Sequence, residues 1–218
     1  MRNATTALLA ALIIAASAHT QSPAQATATG SARQLVEIAG YKFDPLNEKA
    51  PIPDTLRADS EASGLSWWIV QLHRPPTRHE REQLKGLALK LDRYLPTNAY
   101  LERIDAERLP QLRQQTLIRA AIPYQPAFKL SPTIGKIAFR TQERRALGFR
   151  LIAELFPEAD GKRTAQELRD HGATAITFAD RPNTRIEFNL PDAGYLPAIA
   201  HIDSIRWIEE RPEVNEDP

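Results

Sequence analysis

Two short strings in this 218-residue chain hold residue types that hydrolytic enzymes use. His171-Gly172-Ala173-Thr174 offers an imidazole and Asp192-Ala193-Gly194 a carboxylate, the two partners that a serine nucleophile needs. No Gly-x-Ser-x-Gly or Gly-Thr-Ser string supplies that nucleophile in its required setting. His171-Gly172 reads instead as a helix ending and Asp192 as a helix cap. The histidines (His19, His73, His79, His171 and His201) form no His-x-x-x-His or His-Glu-x-x-His pair, so their spacing builds no metal site. Glu209-Glu210 is an acidic pair, but oxygen cages for cations need more ligands at close spacing, and a solvated strand end accounts for it. Cysteine is absent, which excludes disulfides, thiolate metal sites and lipid attachment at a thiol. The chain therefore reads as non-enzymatic, with no cofactor and no metal.

The elements around these residues repeat. Residues 67–126 and 149–212 carry one ordered set of signals, and self-similarity has to be read before any local motif. Each copy opens on an apolar strand, Trp67-Trp68-Ile69-Val70-Gln71-Leu72 or Phe149-Arg150-Leu151-Ile152-Ala153-Glu154-Leu155. An amphipathic helix follows. In the first copy Thr77 and Glu80 form a capping box, ahead of a buried stripe at Leu84, Leu87, Ala88 and Leu91. In the second, Asp160 caps a helix with Ala165 and Leu168 inward, and Gly172 stops it. Two strands then meet at Pro96-Thr97-Asn98 or Pro182-Asn183. The alternation of Ile186, Phe188 and Leu190 with Arg185, Glu187 and Asn189 marks a sheet with one wet face. Asp105 and Asp192 precede short Leu-Pro helices, and closing strands run over 117–122 and 205–209.

The order β-α-β-β-α-β, twice, predicts an α+β protein of two tandem ferredoxin-like domains, each an antiparallel sheet with two helices on one face. Their expected bounds are 65–130 and 147–212, joined by a connector over 131–146. Domains of this size bury a modest fraction of their surface, so an open sheet face invites a partner. One of Trp67 and Trp68 must fill a core, since strand neighbours face opposite ways; the other faces the open side or the sister domain.

Met1-Arg2-Asn3, the apolar run from Ala7 to Ala16 and Ala16-Ser17-Ala18 have the layout of a secretory signal peptide over 1–18, with an apolar run too short for a stable membrane anchor. This layout predicts a secreted or periplasmic protein. Residues 19–64 read as a flexible linker. Its one apolar patch, Leu35-Val36-Glu37-Ile38 with Tyr41-Lys42-Phe43, is suited to adding an edge strand or docking on a partner. The overall charge is +1, but Leu65–Leu130 holds 11 basic against 6 acidic residues, and Leu147–Pro218 holds 8 against 14. The copies are thus expected to attract one another or to face different parts of one partner. The basic copy is too mildly charged for nucleic acid. Arg144-Arg145 in the connector is a solvated stretch or a processing site.

Three strings in the first copy carry a resemblance. Trp68-Ile69-Val70-Gln71-Leu72, Tyr94-Leu95-Pro96-Thr97-Asn98-Ala99-Tyr100-Leu101 and Pro123-Tyr124-Gln125-Pro126-Ala127-Phe128-Lys129-Leu130 resemble the propeptide region of secreted subtilisin-like serine proteases, in particular a bacterial subgroup with two such modules in tandem. Ile205-Arg206-Trp207-Ile208-Glu209-Glu210-Arg211-Pro212 is similar to the stretch just before the catalytic domain there. The resemblance implies a non-catalytic partner of a subtilisin-like protease, acting as inhibitor and folding chaperone. Its open sheet face would pack on surface helices of the enzyme, and the chain after the last strand would lie in the substrate cleft by strand addition. The protease-binding residues so implied are Trp67, Trp68, Glu209, Glu210, Arg211 and Pro212, with Asn215, Glu216, Asp217 and Pro218 of the 213–218 tail. The chain stops where a protease domain should begin, so it reads as a separate inhibitor acting in trans or as a truncated precursor. The alternative from another class is an exported small-ligand-binding or structural interaction module with paired ferredoxin-like domains.

Overall fold

The computed structural model describes residues 34–58, 64–138, 141–181 and 183–211. The expected signal peptide, the linker up to residue 33, Pro182, Pro212 and the tail at 213–218 lie outside the described residues. No helix among the described residues is long and apolar enough to cross a membrane.

The fold is mixed α+β. In chain order it begins with a hairpin of β1 (Val36–Ile38) and β2 (Tyr41–Phe43), turned at Ala39 and Gly40, both with positive φ. The first repeat supplies β3 (Leu65–Leu72), α1 (Arg78–Gly86), β4 (Tyr94–Leu95), β5 (Ala99–Asp105), α2 (Leu109–Arg113) and β6 (Ile118–Pro123). After α3 (Gln142–Ala146), the second supplies β7 (Phe149–Leu155), α4 (Gly161–Asp170), β8 (Thr174–Phe178), β9 (Arg185–Leu190), α5 (Leu196–Ala200) and β10 (Ile205–Glu210). Each repeat makes its own four-stranded antiparallel sheet, ordered β4-β5-β3-β6 and β10-β7-β9-β8. Counted within a repeat, both orders run second, third, first, fourth, one read from the opposite edge to the other.

Local chemistry explains most element ends. Thr77 and Glu80 cap α1 reciprocally, and Arg74 adds a fork onto the same carboxylate, which holds Glu80 down at about 2. Asp160 accepts from Lys162 N and Arg163 N at the start of α4, while Asp105 and Asp192 cap the single turns that lead into α2 and α5. The stripe expected on α1 is shorter than its spacing implied. The helix ends at Gly86, and Ala88 and Leu91 take positive φ. The chain is caught there by Glu102, whose carboxylate accepts from Lys90 N at 3.0 Å and Leu91 N at 2.6 Å, turning Leu89 and Leu91 inward as a loop. Gly148 has no room for a side chain: a Cβ would sit 2.1 Å from the Leu190 carbonyl oxygen.

Three apolar clusters hold these elements. One lies between the first sheet and its helices (Trp68, Val70, Leu72, Leu84, Tyr100, Leu112), and the second has the same place in the other repeat (Leu151, Leu168, Ile186, Phe188, Ile199, Ile208). The third belongs to neither repeat alone. It gathers Val36 and Phe43 from the hairpin, Ile52 from the stretch after it, Ile69 and Leu101 from the far side of the first sheet, Tyr124 and Phe128 after β6, and Phe156 after β7. Because side chains alternate along a strand, Trp68, Val70 and Leu72 face the helices while Trp67 and Ile69 face this third cluster. The stretch 34–58 is thus a folded part of the structure where a linker was expected: Val36 and Phe43 are buried, since an apolar hairpin has an apolar sheet face to cover.

The segment after β6 sews the repeats together. Phe128 stacks on Phe43 at 5.9 Å, Leu130 bridges Ile208 in parallel, and Ser131 N donates to Ile208 O at 2.8 Å. The Tyr124 hydroxyl lies 2.9 Å from Arg206 O. Lys129, 4% exposed, donates its ammonium to Ile202 O at 2.8 Å. Burial pushes that ammonium down to about 8, and Asp203 only partly offsets it.

Two expectations follow. Phe156→Ala removes a ring shared across the repeats and should cost about 3–5 kcal/mol in urea unfolding, with one transition for both sheets. Lys129 binds its proton less tightly folded than unfolded, so its contribution to stability rises with pH from about 8 toward 10.5. Lys129→Met should flatten that rise in the unfolding midpoint measured between about pH 8 and pH 9.5.

Candidate interaction surface

The two sheets meet solvent differently on the faces turned away from their helices. In the first repeat that face is closed over most of its length, with Leu65 and Arg103 left exposed at one end. Beside its apolar part lies a buried polar clasp. Arg119 of β6 donates to Asp44 Oδ1 at 2.6 Å and to Gln71 Oε1 at 2.7 Å. Leu46 N and Asn47 Nδ2 complete Asp44, and Gln71 Nε2 reaches Gln34 O and Thr97 O. Asp44 is 2% exposed and Gln71 fully buried. Burial works to raise the Asp44 carboxyl, but the hydrogen bonds from Arg119, Leu46 and Asn47 outweigh it and hold it below the ordinary range. At the other end of the hairpin segment, Ala58 N donates to Gln125 Oε1 at 2.7 Å and the His201 ring lies 3.1 Å from Thr55 O.

This placement corrects the expectation of a bare sheet in the first copy. Part of the apolar covering comes from the chain's own N-terminal segment, whose register as a strand pair is invisible to repeat matching, and the rest from Tyr124, Phe128 and Phe156. Trp68 fills the helix-side core and donates its indole N–H to Ser66. Trp67 faces the sister repeat, stacked on Phe156 at 3.8 Å and 11° with the Arg93 guanidinium 4.9 Å over its ring; Arg93 also pairs with Glu158 at 3.1 Å. Neither tryptophan is available as an outward anchor.

In the second repeat the outward face keeps its side chains half-buried or exposed, apart from Ile152. Register sets it out in rows. Arg150 of β7 lies opposite Asn189 of β9, which lies opposite Thr174 of β8; Ile152 lies opposite Glu187, and Glu187 opposite Thr177. Glu154 is opposite Arg185 and Trp207. Arg206 is ion-paired with Glu154, and Arg211 with Glu187. A cavity of about 370 Å³ opens on this face, lined by Leu147, Arg150, Ala175, Thr177, Glu187, Asn189 and Arg211 among others.

The expected site residues of the last strand divide across it. Glu209 faces outward and accepts from the Trp207 indole at 3.2 Å. Glu210 lies opposite Leu151 on the core side, is 8% exposed and accepts from Gly135 N at 2.8 Å, so it is structural where a contact residue was expected. Arg211 donates its backbone N–H to Arg150 O and lines the cavity. Pro212, Asn215, Glu216, Asp217 and Pro218 lie outside the described residues. The two strings that open a catalytic reading have local duties: the His171 amide closes α4, Gly172 follows at φ +80°, and Asp192 Oδ1 accepts from Gly194 N at 2.8 Å. Among the described residues no group of three or more His, Asp or Glu is arranged to hold a metal ion.

Sequence reasoning did not pick out Arg119, Asp44, Glu102, Arg150 or Lys129. A usable signal existed for Gln71, an amide inside an otherwise apolar strand, which requires a polar partner on whatever covers it. Burial raises the Glu102 carboxyl, with the two backbone donors pulling the other way.

The family described as a domain of unknown function (DUF8729) matches residues 37–125. That span takes in most of the hairpin together with the first sheet and its helices, and leaves out the second repeat. No curated protein and no solved structure matches the chain.

Asp44→Ala should leave the Arg119 cation buried without its partner and cost about 3–5 kcal/mol. Limited proteolysis should then cut within residues 34–58 before any site in the second repeat. Arg119→Met in the same background should recover much of the loss, because the uncompensated charge is gone.

Proposed function

We propose that this is an exported, non-catalytic propeptide-like protein of two ferredoxin-like modules that binds a subtilisin-like serine protease as inhibitor and folding assistant, through its second module. The strand order shared by both sheets, with the helices on one side of each, supports the ferredoxin-like reading. The observation that carries the functional reading is the difference between the two outward faces. One is filled by Val36, Phe43, Phe128 and Phe156, while the other presents Arg185, Glu187, Asn189, Trp207 and Glu209 beside the strand that leads to Arg211. In this reading the first module is an internal support and the second is the docking module. Residues 212–218, which follow β10 after Arg211, would supply the product-like segment that adds to the substrate cleft as an extended strand. A ligand held between the modules is the weaker reading, since Trp67, Phe156, Tyr124 and Phe128 fill that seam.

Purified protein added to a secreted subtilisin-type protease should slow peptide hydrolysis at micromolar concentration. Ending the chain after Arg211 should weaken inhibition at least tenfold without altering the unfolding curve, and Arg185→Glu on the outward face should weaken it as well. Absence of inhibition across a panel of such proteases would sink this reading.

A further inference from the structure

The cavity on the second sheet has one cationic group left over. Arg211 is neutralised by Glu187, and Arg206 by Glu154. Arg150, half-buried on the same face, has its guanidinium in no ion pair or hydrogen bond among the described residues. Its backbone is rigidly placed. Gly148, two residues earlier, is pressed against Leu190 O, and Arg150 O accepts from Arg211 N at 2.8 Å. The cross-strand partner is Asn189, and Thr177 lines the same cavity from β8. A planar fork, an amide and a hydroxyl thus line one recess of about 370 Å³, a size in the range of small-ligand sites. Glu187 in its lining would repel an anion if it were free, but its ion pair with Arg211 leaves the recess with a net positive group.

We propose that this recess receives a carboxylate side chain, an aspartate or glutamate on the surface of the bound partner, with the Arg150 guanidinium as its bidentate clamp. The proposal rests on the docking role of the second module and adds what the partner must present there. Arginine suits the task because two parallel N–H groups match two carboxylate oxygens, and the bond strengthens when docking excludes water. Asn189 and Thr177 can donate to the remaining lone pairs. A lysine or an amide in place of Arg150 lacks that fork.

The test has two arms, so that the recess and the protease reading fail separately. Without any protease, N-acetyl-glutamate N-methylamide is titrated into the full chain to tens of millimolar while the Arg150 Nε–H and Asn189 side-chain signals are followed by NMR. These signals and the Thr177 amide should shift, whereas the glutamine analogue at equal concentration should leave them in place. Equal shifts with both compounds, or none with either, would overturn the proposal. In the second arm Arg150→Gln, with an unchanged unfolding curve, should raise the inhibition constant against a protease that the parent chain inhibits by about tenfold or more, as expected for losing one charge-assisted pair. Arg150→Lys should restore only part of it. Undiminished inhibition by Arg150→Gln would overturn the clamp while leaving the docking role intact. A parent chain that inhibits nothing, yet whose recess takes the glutamate compound, would overturn the acidic side chain of a protease as the occupant.

Discussion

The structure depends on covering both sides of one strand. From Trp68 to Leu72 every residue of β3 is buried, so the sheet built around it needs an apolar layer on each face. Helices α1 and α2 supply one. The other is assembled from pieces far apart in the chain: the hairpin before the first repeat, the aromatic segment after it, and Phe156 from the second repeat. A small sheet with helices on one side only would leave Ile69 and Leu101 in water, at roughly 1.5–3 kcal/mol for each large side chain. Placing a third cluster there removes that loss and joins the two repeats in one compact unit.

The buried polar groups sit where separate stretches of chain meet. Arg119 with Asp44 joins the hairpin to β6, Glu102 holds the loop after α1 against β5, and Lys129 ties the segment after β6 to the loop after α5. Each is satisfied within hydrogen-bond distance, which a low-dielectric interior demands. These groups add less to net stability than their gas-phase strength implies, because each gives up hydration. Their directional bonds discriminate between one register of the joined segments and its neighbours. An apolar patch alone would let the hairpin slide on the sheet face. The clasp at Asp44 admits one position.

The same arrangement divides labour between two copies of one architecture. Filling the outward face of the first copy removes it as a surface for other molecules and turns it into a foundation. The second copy keeps charged and amide side chains outward, with Arg206 and Arg211 neutralised by Glu154 and Glu187 and the Arg150 guanidinium in no ion pair among the described residues. That asymmetry follows the uneven charge along the chain, basic in the first repeat and acidic in the second. Across the seam the Arg93–Glu158 pair, beside the Trp67–Phe156 stack, expresses it.

Much of this was legible in the residues themselves. Periodicity and caps located α4, β9 and β10 closely, because Asp160, Gly172 and the alternation of Ile186, Phe188 and Leu190 act within a few residues of one another. Thr77 and Glu80 mark the start of α1 for the same reason, but its end at Gly86 is not legible locally, because the stripe through Leu91 continues in a loop whose path is set by Glu102 from another strand. Trp67 and Trp68 were bound to point opposite ways; which partner each met depended on Phe156, nearly ninety positions later. The covering of the first sheet was half legible: the apolar patch at Leu35–Ile38 and Tyr41–Phe43 reads as a docking element, but nothing local says that it docks on this chain's own first sheet. Short apolar stretches such as Val36–Ile38 and Tyr41–Phe43 have no period of their own, and their burial is decided by the surface offered to them. The amino-acid order by itself determined the elements, the repeat and the apolar faces, since those rest on contacts between near neighbours. Tertiary structure alone decided which face stayed in water, because that depends on long-range burial competing for the same apolar surface.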